Sequence, residues 1–304
     1  MVEEDILNEI KGRAGGEVMV NEMMLRHTTL RVGGPAEVFV EPVDLPAFRK
    51  LVSWARTMGI VTRVIGSGSN ILVPDEGIKG ITIRLSSPSF RMIGVRGDEM
   101  LCGAGARISD LVKYCIEKGM GGLEFLAAIP GTVGGAVAMN AGAWGRDIAG
   151  VIRGVTVVHA DGSVSRIGRD GLAFGYRKCS IPRGEFIVSA TFGVSCRRSG
   201  EIREEVAGHA AERRRRFPEG PSAGSIFKNP PGDYAGRMIE AAGLKGETCG
   251  RAQISTVHAN FIVNLGGARA VDVLRLIEMA GEAVQRMFSV ELEPEIDILS
   301  EVTA

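Results

Sequence analysis

Val61-Thr62-Arg63-Val64-Ile65-Gly66-Ser67-Gly68-Ser69-Asn70-Ile71-Leu72-Val73 sets a β-branched run, a glycine turn and a second apolar run in series. β-Branched residues favour strands, and clusters of Gly, Ser and Asn punctuate them. Working outward, Glu37 to Pro42 reads as a strand, and Asp44 to Met58 as a helix with Asp44 at its N-cap. Ile81 to Leu85 supplies another strand. The first 85 residues therefore read β-α-β-β, preceded by a short amphipathic helix at residues 5–13. Two readings of the glycine turn stand side by side. It is a plain turn, or its backbone N–H groups converge on an anion while Ser and Asn add polar partners. It is not the dinucleotide fingerprint G-x-G-x-x-G, because Ile71 holds the sixth position. Nor is it a P-loop, since no Gly-Lys-Ser/Thr follows.

Further along, residues 86–195 are strand-rich. Met92–Val95, Glu99–Cys102, Gly154–His159, Ser163–Ile167 and Phe186–Val194 read as strands, with a hairpin signal at Ala160-Asp161-Gly162-Ser163. Ser109 to Lys118 reads as a helix capped by Ser109. Phe125 to Gly145 runs 21 positions without a charge, the length of a membrane span. It also holds Pro130, Asn140 and five glycines, which favours a buried glycine-rich loop region. Residues 200–216 are charge-dense and read as a solvated helix ending in a linker, so a domain boundary falls near 200–220. The run Arg213 to Arg216 is most simply its solvated end. Helices at 235–242 and 270–288, a strand at 259–263 and a last strand at 295–299 complete the chain.

Composition narrows the function classes. With 45% apolar and 24% charged residues, the 304-residue chain is globular and long enough for two or three domains. Lys+Arg and Asp+Glu both number 36, so the net charge is 36 − 36 = 0, without the basic excess of a general nucleic-acid binder. Glycine reaches 42 of 304 residues, which calls for many tight turns and close backbone approaches. Cys102, Cys115, Cys179, Cys196 and Cys249 are odd in number and widely spaced. That pattern suits a reducing cytoplasm better than a disulfide framework or zinc ribbon. The acidic start Met1-Val2-Glu3-Glu4-Asp5 lacks the features of a secretory signal. The four histidines give no metal-ligand spacing, so no metal site is expected.

Several segments offer chemistry, each with a plainer alternative. Pro130-Gly131-Thr132-Val133-Gly134-Gly135, with Asn140-Ala141-Gly142 after it, is a second anion-cradling candidate or a place of tight packing. Two such loops suit a pyrophosphate or a dinucleotide. Ser222 to Pro230 concentrates small, hydroxylic and basic groups, and a held Ser hydroxyl can protonate a developing carbanion. No G-x-S-x-G elbow occurs, which disfavours a serine hydrolase. Tyr176-Arg177 offers a guanidinium fork for a carboxylate or phosphate. Glu293-Pro294-Glu295 places two carboxylates on one strand face, for acid–base work or merely as a polar strand entry.

These segments, in this order, resemble one family, the UDP-N-acetylenolpyruvoylglucosamine reductases. The resemblance rests on Arg26 to Ala36, Gly66 to Val73, Gly122 to Leu126, Ile129 to Gly135 and Met139 to Ala143. It continues through Gly175-Tyr176-Arg177, Pro221 to Pro230, Ile239 to Gly246, His258 to Phe261 and Leu292 to Glu295. It implies an α+β fold: two FAD-binding subdomains of the vanillyl-alcohol-oxidase (PCMH) type plus a smaller substrate domain. We expect these at 1–85, 86–205 and 206–290, with 291–304 returning to the site as a strand. It also implies that Gly66, Ser67, Gly68, Ser69, Asn70, Gly131, Thr132, Gly134, Asn140 and Gly142 hold FAD. Arg177, Ser225 and Glu295 match the family's catalytic positions; Tyr176, Lys228, Asn229 and His258 fall at substrate contacts.

The implied reaction is reduction of UDP-N-acetylglucosamine enolpyruvate to UDP-N-acetylmuramate for bacterial peptidoglycan. NADPH is the hydride donor, FAD the carrier and Ser225 the proton source. The chain lacks the insertion that carries a substrate-clamping tyrosine in longer members, so it resembles the compact subtype, working as a cytoplasmic monomer without membrane or nucleic acid. The runner-up reading is another noncovalent FAD oxidoreductase of the same fold; many oxidases of that fold carry a His after the glycine turn for covalent flavin attachment. Asn70 ends the turn here, so FAD is expected to be noncovalent. A non-catalytic flavin or nucleotide module has no need for Arg177, Ser225 and Glu295 together.

Overall fold

The computed structural model describes residues 3–182 and 184–299. Met1, Val2 and the tail beyond residue 299 lie outside the described residues, and with them parts of the acidic start and of the 291–304 segment. Helix α1 (Glu4–Ala14) leads into strands β1 (Glu17–Met23) and β2 (Pro35–Glu41). Helix α2 (Leu45–Thr57), β3 (Thr62–Ile65) and β4 (Ile78–Arg84) follow. The Asp44 carboxylate accepts the Ala47 amide at 2.8 Å, the expected N-cap. The sheet order is β1-β2-β4-β3, antiparallel at β1/β2 and parallel elsewhere. Strand β2 buries both faces: Val38 and Val40 join the large core under α2, while Phe39 packs on the opposite side with Met24, Ile65 and Ile78.

Two details depart from the sequence reading of this region. Strand β1 is additional. Its alternation is broken where Asn21 turns left-handed (φ 53), so period-two patterning does not reveal it, and pairing with β2 holds it. The short strand Ile71–Leu72 stays outside this sheet and pairs in parallel with Asp297–Ile298 near the C-terminus. That partner is remote in sequence, and local pattern says nothing about it.

The second layer is an antiparallel sheet of β5 (Ile93–Arg96), β6 (Glu99–Gly103), β7 (Ile152–Val158), β8 (Val164–Gly168) and β9 (Phe186–Gly193). Its order is β8-β7-β9-β6-β5. Helix α3 (Ile108–Lys118) starts from Arg107, so Ser109 lies within the first turn and its hydroxyl bonds Asp110 rather than capping. The uncharged stretch carries the short helix α4 (Val133–Ala138), capped by the Thr132 hydroxyl, and buries Phe125, Leu126, Val133 and Val137. Among the described residues no helix is long and apolar enough to cross a membrane. Helix α5 (Ser199–Arg216) exposes most of its length and packs on α3. At its start, the chain is clamped by Arg197, which bonds both Glu124 and Glu205.

The third layer is the sheet β10 (Ser222–Ser225), β11 (Thr248–Cys249), β12 (Ala252–Ile254) and β13 (Phe261–Asn264), in the order β10-β13-β12-β11. Helices α6 (Ala235–Ala241) and α7 (Ala270–Phe288) cover it. Its core takes in Leu30, Val32 and Leu72 from the N-terminal region. Polar ties reinforce this joint. Asp75 accepts the Ala270 and Val271 amides at the start of α7, and the Asn264 amide donates to Leu30 and Arg31 carbonyls.

Candidate active site and cofactor cavity

A cavity of about 570 Å³ lies between the first two layers. Gly66 and Ser67 from one glycine loop and Thr132, Gly134 and Gly135 from the other line it. The loops touch: a Cβ on Gly66 would sit 2.5 Å from Thr132 Oγ1, and Ser69 Oγ reaches Pro130 O at 3.3 Å. Gly68 is left-handed (φ 62) beneath Thr28, where a Cβ would strike the His27 carbonyl at 2.1 Å, so glycine is required there. Among the described residues the Ser67, Gly68 and Ser69 amides donate to no other protein group. Free amides beside a left-handed glycine form an anion-binding concavity. Arg26, Arg84, Arg91 and Arg107 add positive charge around the cavity. This donor set fits the pyrophosphate of a dinucleotide.

Not every residue expected at the cofactor lines the cavity. Asn140 is buried and its side chain is spent inside the fold, on Asp147, the Gly175 carbonyl and the Ala149 amide. The Gly142 carbonyl accepts Arg177 NH1 at 3.2 Å. Gly131 (φ 133) faces Ser69 Oγ across the loop contact. Asn70 turns toward the C-terminal segment. His27 is structural: it stacks on Phe39, and its Nε2 and Nδ1 lie 2.9 Å from Glu22 and Arg84. Arg84 can only donate, so Nδ1 accepts and Nε2–H donates to Glu22. His27 thereby steadies a cavity arginine.

The catalytic candidates meet at the edge of the third layer. Arg177 Nε lies 2.8 Å from Glu295 Oε1. Among the described residues Arg177 Nε meets no acceptor at hydrogen-bond angle, so the contact is an ion pair. Arg177 has φ 56, a strained conformation for a side-chain-bearing residue. Burial raises the Glu295 pKa above the ordinary carboxylate value, against the opposing pull of Arg177 and Lys228. The Glu295 amide donates to the Ile226 carbonyl at 2.7 Å, which places this acid beside Ser225. Strand β10 in turn borders the cofactor loop: a Cβ on Gly224 would lie 4.0 Å from Ser69 O, and Thr29 Oγ1 bonds Ser222 O at 2.6 Å.

The remaining expected contacts are partly committed elsewhere. Lys228 pairs with Glu293. Asn229 Oδ1 accepts the Ala235 amide at the start of α6, and among the described residues its Nδ2 donates to no protein group. His258 Nδ1 accepts the Asn260 amide, and burial lowers the pKa of its ring. Tyr176 is exposed, with the Arg177 guanidinium 5.5 Å from its ring centre.

One residue escaped the sequence reading. Arg213, assigned there to a solvated helix end, is half-buried over Phe217 at 4.7 Å, and Phe217 packs against His258 and Phe261. Burial, then the nearby Arg177 charge, lowers its pKa. A run of four arginines carries no sign of which one leans inward.

Known proteins resemble this chain over nearly its whole length. A family model for an "FAD binding domain" matches residues 36–168, and one for "UDP-N-acetylenolpyruvoylglucosamine reductase, C-terminal domain" matches 216–299. The UDP-N-acetylenolpyruvoylglucosamine reductase of Halalkalibacterium halodurans is 40% identical over 300 residues, 98% of this chain and 99% of the relative.

The chain belongs to the UDP-N-acetylenolpyruvoylglucosamine reductase family.

A second reductase of that name from Symbiobacterium thermophilum is 43% identical over 289 residues, 94% of this chain and 93% of its own length. The crystal structure of the Thermus caldophilus reductase superposes with a TM-score of 0.83 at 38% identity, covering 94% of this chain and all of that one. The α+β architecture expected from the resemblance is thus that of the reductase family.

Proposed function

We propose that this reductase family member converts UDP-N-acetylglucosamine enolpyruvate to UDP-N-acetylmuramate for peptidoglycan synthesis, using FAD and NADPH, with Arg177, Ser225 and Glu295 as its catalytic residues. The Arg177–Glu295 pair carries this reading. A strained arginine faces a largely buried carboxylate whose main chain bonds the residue after Ser225, beside the cofactor loop. FAD, when bound, supplies the redox chemistry of hydride acceptance and delivery. Residues 1–85 and 86–205 hold it between them, 206–290 carry the substrate, and 291–304 return Glu295 to the cleft.

Arg177 binds the enolpyruvyl carboxylate and stabilises the negative charge that builds on it, a preorganised charge of the kind worth several kcal/mol in a dry site. Glu295 holds the guanidinium in place. Ser225 Oγ delivers the proton to the carbon bearing that carboxylate. Arg213, Tyr176, Lys228, Asn229 Nδ2 and the free edge of His258 surround the substrate. Five unpaired cysteines and zero net charge support a cytoplasmic enzyme without a nucleic-acid partner.

Stopped-flow absorbance under nitrogen tests the assignment. Ser225→Ala is expected to leave flavin reduction by NADPH nearly unchanged and to slow reoxidation by the enolpyruvyl substrate by about 10²–10⁴-fold, the usual worth of a general acid. Slow reduction with normal reoxidation would exclude the proton-donor role.

A further inference from the structure

Asn70 closes the cofactor loop, yet its side chain serves another part of the molecule. Its Nδ2 donates to the Glu295 carbonyl at 3.0 Å and approaches Met139 Sδ at 3.5 Å. Its own carbonyl accepts the Asp297 amide at 2.9 Å, and the Leu299 amide donates to Leu72 O at 2.9 Å. On the opposite side the Glu295 amide is held by the Ile226 carbonyl, as described above. The Glu295 main chain is therefore pinned between the residue after Ser225 and the last residue of the cofactor loop. Its carboxylate reaches Arg177 from that pinned point.

We propose that Asn70 is a positioning residue: its amide sets where the Glu295 carboxylate stands against Arg177, and it ties that placement to the cofactor loop. The inference rests on the roles given above to Arg177 and Glu295. The tether needs a donor at this position, and the Asn70 amide supplies it. The Glu295 carbonyl needs a donor, which an aspartate lacks and an alanine cannot replace. The charged groups around the Glu295 carboxylate are Arg177 and Lys228, with Glu293 on the far side of Lys228 and Arg213 behind Arg177. With the main chain released, Glu295 gains water and loses its fixed distance to Arg177. A misplacement of about 1 Å costs about 10²-fold in rate when a group must be held in line.

The experiment uses the FAD-loaded enzyme with Asn70→Ala and the isosteric Asn70→Asp. In both, reduction by NADPH and the Kd of the apoprotein for FAD are expected to stay within about threefold, while reoxidation by the enolpyruvyl substrate slows about 10–100-fold. In Asn70→Ala the acid limb of the reoxidation pH profile moves down, toward an ordinary carboxylate, and amide hydrogen exchange rises at residues 295–299. Weak FAD binding with normal reoxidation of the bound fraction would make Asn70 a cofactor ligand and overturn the proposal. So would an unmoved acid limb with wild-type reoxidation. Wild-type enzyme that NADPH bleaches but the enolpyruvyl substrate fails to reoxidise would instead break the functional reading itself.

Discussion

Two carboxylates of this molecule are largely withdrawn from solvent, and each faces arginine. Glu124, in the turn before the second glycine loop, has a side chain only 1% exposed, and its oxygens accept Arg197 at 2.8 Å and the Gly122 amide at 2.8 Å. Arg146 stands 3.8 Å away, and its guanidinium also covers Phe125. Glu295 is 11% exposed and, among the described residues, has one ion pair, with Arg177, and the charge of Lys228 nearby. The first carboxylate is saturated and locks α5 to the second layer. The second is left short of partners in a cleft, where an incoming anion can compete for Arg177. On the proposed reading, the structural acid and the functional acid differ less in burial than in how completely their partners use them.

The sharpest test of this contrast is Glu295→Gln. Its removal is expected to lower reoxidation by the enolpyruvyl substrate by about 10²–10³-fold, the loss typical of a preorganised electrostatic group. Urea unfolding of the same variant should show a stability equal to or above wild type, because burial disfavours the charge that is removed. A large loss of stability with retained turnover would erase the distinction between the two acids.

Glu124→Gln should behave in the opposite way. Removing the Glu124 charge weakens its ties to Arg197 and Arg146, while Arg197 keeps Glu205, and is expected to lower the urea midpoint. Reoxidation per folded, FAD-loaded molecule should remain within a factor of about three. If that rate fell instead as far as in Glu295→Gln, the Glu124 network would have to be counted as part of the catalytic machinery.

The smallest expected effect is in pH dependence. The folded-state pKa of Glu295 lies above its unfolded value, so between the two the folded protein binds more protons than the unfolded chain. Stability then falls as pH rises from the ordinary carboxylate range toward the raised pKa, by at most about 1.4 kcal/mol per unit. Below that window the group contributes nothing, and above it the penalty is constant. Subtracting the urea-unfolding pH profile of Glu295→Gln from that of wild type isolates the slope. A difference that rises with pH would mean that Arg177 and Lys228 outweigh burial.

Much of the fold was legible because its signals are local. β-Branched runs marked β3, β4, β7 and β9, Asp44 marked the start of α2, and the glycine spacing marked both loops that meet at the cavity. The family resemblance singled out Arg177 and Glu295, and the structure brings them into contact. What stayed hidden was non-local or directional. Strand β1 depends on its partner, Arg213 on which turn of α5 faces the cleft, and Asn140 and Asn70 on where an amide points.

Sequence by itself determined much of the local frame: where glycine clusters turn the chain and which segments alternate. These follow from steric and periodic rules that act over a few residues. Tertiary structure alone decided which polar groups are spent and which are left free. Hydrogen bonds and ion pairs between distant segments are settled only when packing removes water and forces each buried donor to find an acceptor. On that account Glu124 became a clamp, Glu295 a carboxylate in waiting, and Asn70 a tether between the cofactor loop and the acid.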